Sequence, residues 1–182
     1  YTQYMFNDFV INPAIAGVHN FYQIRTNHRF QWVGLTDPPM TNSIAFYGPH
    51  ERLDMGYGGY IYSDVTGPTS RAGITGSYAY NIAVSGDMRL SMGLSFGIMQ
   101  YRIDGTQLNP ADISDPSILN LVSTSYLPDA GLGLYLYHED FYVGLSAAQL
   151  LNNSVKIFDN KSGLNRLKTH INLIGAYRFH LD

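Results

Sequence analysis

From Arg71 to Val84 apolar and polar positions alternate with period two. Ala72, Ile74, Gly76, Tyr78, Tyr80, Ile82 and Val84 fall on one side, and Arg71, Gly73, Thr75, Ser77, Ala79, Asn81 and Ala83 on the other. Such alternation predicts a β-strand with one greasy and one small or polar face. After Ser85-Gly86-Asp87 it resumes, with Met88, Leu90, Met92, Leu94, Phe96 and Ile98 opposite Arg89, Ser91, Gly93, Ser95 and Gly97. Two runs joined by a Gly-containing turn read as a long hairpin.

The same pattern predicts strands near Phe21 to Trp32, Asn42 to Tyr47, Leu53 to Ser63, Asp129 to Tyr137, Phe141 to Ala148 and Lys168 to Leu181, eight in all. Several exceed ten residues, beyond the five or six of an average soluble strand and close to the roughly 9 to 11 that cross a bilayer. The predicted connections alternate. Val33 to Thr41, Asp64 to Ser70, Ile103 to Pro128 and Gln149 to Leu167 are the longer ones, and Gly48 to Arg52, Ser85 to Asp87 and His138 to Asp140 are short. Long outer loops and short periplasmic turns are the habit of bacterial outer-membrane barrels. The expectation is therefore an all-β, antiparallel transmembrane barrel with a periplasmic N-terminus, residues 1–19 forming a periplasmic or plug segment and 20–182 the strands.

Composition sharpens this picture. Of 182 residues, 14% are charged and 18 are Gly, against about 25% and 7% in ordinary domains. No run is long and apolar enough for a transmembrane helix. A net charge of −3 argues against a nucleic-acid partner, and the absence of Cys removes disulfides, thiolate catalysis and Cys-ligated metals. Tyr is abundant at 15 copies. Trp32, Tyr60, Tyr62 and Tyr101 fall toward the long-loop strand ends, and Tyr47, Tyr80, Tyr135, Tyr137, Phe141 and Tyr142 toward the short-turn ends, which predicts two interfacial girdles.

The face expected to line the lumen carries Arg71, Gly73, Ser77, Arg89, Ser91, Gly93, Gly97, Gly131 and Gly133, with Gly56 and Gly58. An eight-stranded barrel is just filled by its inward side chains, and these cannot fill one. Either another segment enters the lumen or these strands belong to a wider barrel. The last strand stops in mid-pattern without a terminal aromatic, which favours the wider barrel.

Four stretches, in order, resemble the PorP/SprF family of outer-membrane proteins. They are Tyr1-Thr2-Gln3-Tyr4-Met5-Phe6-Asn7 with Ile11-Asn12-Pro13-Ala14-Ile15-Ala16-Gly17, then Gln31-Trp32-Val33-Gly34, Pro128 to Tyr135, and Phe141 to Ser146. The resemblance implies a component of the type IX secretion and gliding apparatus. It further implies partners: a secreted cargo such as an adhesin with a C-terminal sorting domain, other components of the system, and outer-membrane lipid. Tyr4, Phe6, Asn12, Pro13, Ala16, Gly17 and Trp32, which stand in these motifs, are the candidate plug or partner contacts. The opening segment to Val18 is apolar, with Asp8 its one charge, and Asn12-Pro13 and Gly17 permit turns, so it is expected to fold into the barrel or across its mouth.

Enzymatic chemistry finds no support. His138-Glu139-Asp140 and His50-Glu51 occupy short turns, and no nucleophile setting accompanies His170, Asn172, Arg178 and His180 on the last strand. No catalytic residue, metal ligand or cofactor is assigned, and an outer-membrane hydrolase is set aside. The remaining alternative is a passive small-solute channel, which needs lumenal charge. Arg71 and Arg89 are the chief charges on the predicted inner face, whereas its glycines admit a polypeptide backbone.

Overall fold

A computed structural model describes residues 7–35, 37–107, 122–153 and 167–180. Eight antiparallel strands follow one another in chain order: β1 (Gln23–Phe30), β2 (Met40–Pro49), β3 (Met55–Thr66), β4 (Thr69–Ser85), β5 (Met88–Asp104), β6 (Val122–Tyr137), β7 (Phe141–Ala148) and β8 (His170–Tyr177). They form one sheet curled into a half-barrel, with β1 and β8 at its edges. No helix among the described residues is long and apolar enough to cross a membrane.

Two expected loops are shorter than the pattern suggested. Asp64 to Ser70 was expected to be a longer connection. Instead β3 and β4 pair as far as Thr66 and Thr69 and turn on Gly67-Pro68, with Gly67 at φ 52°. A positive φ at the first turn residue is what a tight hairpin takes and what Gly supplies. Likewise β5 runs to Asp104 and β6 begins at Val122, so both ends of the expected Ile103 to Pro128 loop are strand. The short helix expected near Ile118 to Val122 lies outside the described residues except for Val122, which opens β6.

Register sets the tilt. Gly48, next to the end of β2, shares a row through Tyr57, Tyr78, Leu94, Leu132 and Ala147 with Ile171, six residues from the end of β8. At ~3.3 Å per residue and ~4.8 Å between strands, this slip corresponds to a tilt of roughly 30° to 35°. Closed barrels adopt about 35° to 45°.

Burial separates the two faces. Along β4 Ser77, Ala79 and Asn81 are buried while Ile74, Tyr78, Tyr80 and Ile82 are exposed. Along β5 Ser91 and Gly93 are buried while Leu94, Phe96 and Ile98 are exposed. The sheet is thus inside out relative to a soluble protein: its convex face is aliphatic and aromatic, and its concave face small and polar. That convex face matches the lipid-facing band of a membrane barrel.

The expected girdles need correction. Tyr47, Tyr60, Tyr135 and Tyr142 pack toward the core on the concave side with Tyr62, Tyr101 and Tyr137. Their alternation places them on the glycine face, where they fill space the glycines leave open. At the short-turn end the convex face keeps Tyr80, as expected, and carries Tyr22, Phe46, Tyr57 and Tyr78 beside it. Tyr22 stacks on Phe46 at 5.7 Å and meets the Tyr57 hydroxyl at 3.0 Å.

Candidate functional site: a glycine-lined cradle on the concave wall

Residues 8–18 are too polar at Asn12 and too rich in Pro and Gly for a strand or a long helix, and they form two 3-10 turns, Asp8–Val10 and Pro13–Gly17. Asn12 starts the second turn by accepting from the Ala14 amide at 3.0 Å, with Pro13 at the first position, where its missing N–H costs nothing. This turn lies against the concave wall and touches β2 through β6. Asn12, Pro13, Ala14, Ile15, Ala16 and Gly17 are all buried.

The wall accepts the segment because it lacks side chains there. A Cβ on Gly93 would strike Pro13 and Ala14, one on Gly133 would strike Asn12, and one on Gly56 would strike Ala16 and Gly17. Polar side chains then read the segment's backbone. Ser91 Oγ donates to the Ala14 carbonyl at 2.5 Å, and Asn81 Nδ2 to the Gly17 carbonyl at 2.9 Å. In the opposite sense, Asn12 Nδ2 donates to the Leu134 carbonyl at 3.0 Å. A buried donor or acceptor without a partner costs about 1 to 3 kcal/mol, so these bonds favour one seating.

Aromatic rings anchor the other turn. Phe9 stacks on Tyr47 at 4.4 Å and meets Tyr60 edge-on at 6.2 Å, and Tyr60 continues to Tyr62 at 6.1 Å. Asp8 reaches Arg25 of β1 at 3.6 Å, and Arg25 lies 5.8 Å from the Tyr47 ring centre. A small cavity of about 20 Å³ remains beside Phe9 and Pro13, bordered by Tyr60, Ser77, Ser95 and Asp129. It has room for a single water.

The family comparison fits this architecture. The model of the type IX secretion system membrane proteins PorP/SprF matches residues 1–182. The chain belongs to the PorP/SprF family. No curated protein and no solved structure matches it. As a PorP/SprF protein it is a membrane component of type IX secretion, and its eight strands have the architecture of an outer-membrane β-barrel.

In this PorP/SprF chain the residues singled out from sequence fall into three groups. Asn12, Pro13, Ala16, Gly17, Ser91, Gly93 and Gly133 meet in the cradle, where Ser77 also lies buried. Gly73, Gly97 and Gly131 lie further along the same wall. A Cβ on Gly73 would stand 2.6 Å from the Tyr62 ring, one on Gly97 2.6 Å from the Ile74 carbonyl, and one on Gly131 2.6 Å from Ser95 Oγ. Arg71 sits 5.1 Å from the Tyr101 ring centre toward the Gly67-Pro68 end, and Arg89 pairs with Asp54 at 3.4 Å toward the short-turn end. Trp32 follows β1 at the end remote from the cradle and is 68% exposed. Tyr4 and Phe6 lie outside the described residues.

Sequence reasoning missed Phe9, Asn81, Tyr47 and the Arg25–Asp8 pair. It also undercounted charge on the concave face, where Arg25, Arg29, Asp64 and Asp129 share the inward parity of their strands. Asp64 is held by the Thr41 hydroxyl at 2.8 Å. Among the described residues no cluster of His, Cys, Asp and Glu is placed to hold a metal.

Proposed function

We propose that this protein holds a secreted protein at the outer membrane during type IX secretion, the cargo chain lying along the concave wall beyond the N-terminal segment. One observation carries the reading: the wall already grips a polypeptide, using glycines to admit its backbone and Ser and Asn side chains to bond its carbonyls. The same devices continue past the segment. Gly97 continues the small-residue wall there, and Tyr62, which covers Gly73, rims it with Tyr101 and Arg71. Aromatic and Arg side chains are the anchors most often found at protein interfaces. An adhesin with a C-terminal sorting domain is the cargo class this reading takes, and the N-terminus then lies in the periplasm.

Exchanging Arg71 for Glu together with Tyr101 for Ala tests it. The pair stands at the rim, away from the cradle, so the barrel keeps its fold. Cargo co-purification and surface display are expected to fall about tenfold or more, as the loss of one or two interface anchors implies, with bilayer conductance unchanged. Unchanged cargo with altered conductance replaces docking with the small-solute channel.

A further inference from the structure

Thr41 of β2, Asp64 of β3, Arg71 of β4 and Tyr101 of β5 are successive register partners and form one row on the concave wall. β3, β4 and β5 are interior strands, each paired on both sides. The row stands at the polar end of the wall, because the outward positions beside it on β4 to β6 are Ser70, Arg102 and Thr124.

Opposite charges directly across an antiparallel pair are close enough to interact and gain by doing so. Asp64 and Arg71 do not pair. Asp64 accepts from the Thr41 hydroxyl at 2.8 Å, on its β2 side. The Arg71 guanidinium lies over the Tyr101 ring, 5.1 Å from its centre, on the β5 side. Two neighbours of opposite charge thus lean apart.

The balance between these arrangements is fine, since at an exposed site an ion pair and a cation–π contact are of similar worth. The Thr41 hydroxyl, by giving Asp64 a partner on the far side, tips it. Arg71 is left exposed and makes no ion pair among the described residues. A guanidinium lying over a ring keeps its N–H edge for another partner, and that edge matches the two oxygens of a carboxylate. Asp64, one strand away, penalises a doubly charged phosphate more than a singly charged carboxylate.

We propose that Arg71, set on Tyr101 and kept from Asp64 by the Thr41 hydroxyl, receives an acidic side chain of the secreted cargo. The inference rests on the cargo-docking reading and names the chemistry of its contact. Thr41 is a positioning residue and touches no cargo itself.

A reporter fused to the C-terminal sorting domain of an adhesin tests it, its capture by the purified protein being read at ~50 and ~500 mM salt. Arg71→Gln should lower capture about tenfold at low salt, as loss of a charge-assisted pair implies, and should abolish the salt dependence. Thr41→Val releases Asp64 to take Arg71 and should lower capture about threefold. Thr41→Ser, which keeps the hydroxyl, should not, and Asp64→Asn should restore capture in the valine background. Replacing the sorting domain's Asp and Glu residues singly by Asn and Gln should find one whose loss matches that of Arg71→Gln and adds nothing to it. The urea midpoint of Arg71→Gln should stay at the parent's value, because the guanidinium has no ion-pair partner in the wall to lose. A valine variant that Asp64→Asn fails to rescue, a sorting domain without such a carboxylate, or a fall in that urea midpoint overturns the proposal while docking stands. Capture indifferent to Arg71→Glu with Tyr101→Ala removes the docking reading and this inference with it.

Discussion

Gly17 of the N-terminal segment and Gly56 of β3 meet backbone to backbone: a Cβ on Gly17 would lie 2.8 Å from the Gly56 Cα. A contact this close exists only while both residues lack side chains, and the atoms nearest a Cβ on Gly56 are all backbone, of Gly17 and Ala16, with no flexible side chain to yield. Gly56→Ala should therefore cost about 1 to 3 kcal/mol, the usual penalty for overpacking. Gly76→Ala is the matched control, since it faces outward with nothing nearer than 4.0 Å, and its effect should stay within about 0.5 kcal/mol. Urea titration of both variants in bilayers or micelles reads the difference.

The hydrogen bonds that read the segment's backbone make a second prediction. Asn12→Ala removes a donor and an acceptor together, leaving the Leu134 carbonyl and the Ala14 amide without these partners in a dry site. Ser91→Ala strips the Ala14 carbonyl in the same way. Each should destabilise seating by about 1 to 3 kcal/mol, and protease cleavage within residues 8–18 should accelerate while the strands stay protected. Uniform acceleration across the whole chain would show that segment and sheet unfold together.

Facing defines a third. Leu94 points outward from the middle of β5, and Asn172 points inward from β8, where its amide reaches Ser146 at 3.5 Å. Leu94→Arg should cost about 2 to 4 kcal/mol in a bilayer, and Asn172→Arg less than about 1 kcal/mol. Equal losses would remove the distinction between lipid and lumen faces.

Period-two alternation carried most of the fold, because each strand has one buried and one lipid-facing side and a slip by one residue would exchange them. It also held information that position along the strand obscured. Tyr60 and Tyr62 share their parity with Gly56 and Gly58, so they belong to the concave face whatever their nearness to a strand end. Asp64, Thr66, Thr69 and Ser70 look like a loop by polarity, yet they are strand residues paired across a two-residue turn. The cradle was half legible. Its glycines could be placed on the inner face, but the 3-10 turns that fill it have neither helical nor strand periodicity, and their contacts join residues as far apart as Asn12 and Leu134. No local pattern encodes such a pairing.

The last prediction concerns which way the sheet is threaded. At ~3.3 Å per residue the 17-residue β4 is about 55 Å long, and at the observed tilt it rises roughly 45 Å along the membrane normal. A lipid-facing band is about 25 Å tall, so one end of the β3–β4–β5 region must project into water. The convex face identifies that end. At the Gly86-Asp87 turn it stays apolar through Ile82 and Val84, both exposed, whereas toward Gly67-Pro68 it changes to Ser70, Arg102 and Thr124. Gly67-Pro68 is itself a two-residue turn, but the long β5–β6 and β7–β8 connections stand at the same end of the sheet, and the longer loops of such barrels face outward. A single Thr66→Cys should therefore react with a membrane-impermeant maleimide on intact cells, and Asp87→Cys only after permeabilisation. The chain has no Cys of its own, so unlabelled background is expected from the parent. Labelling at position 87 but not 66 on intact cells would invert the sheet and move the cradle, with its N-terminal segment, to the outer side.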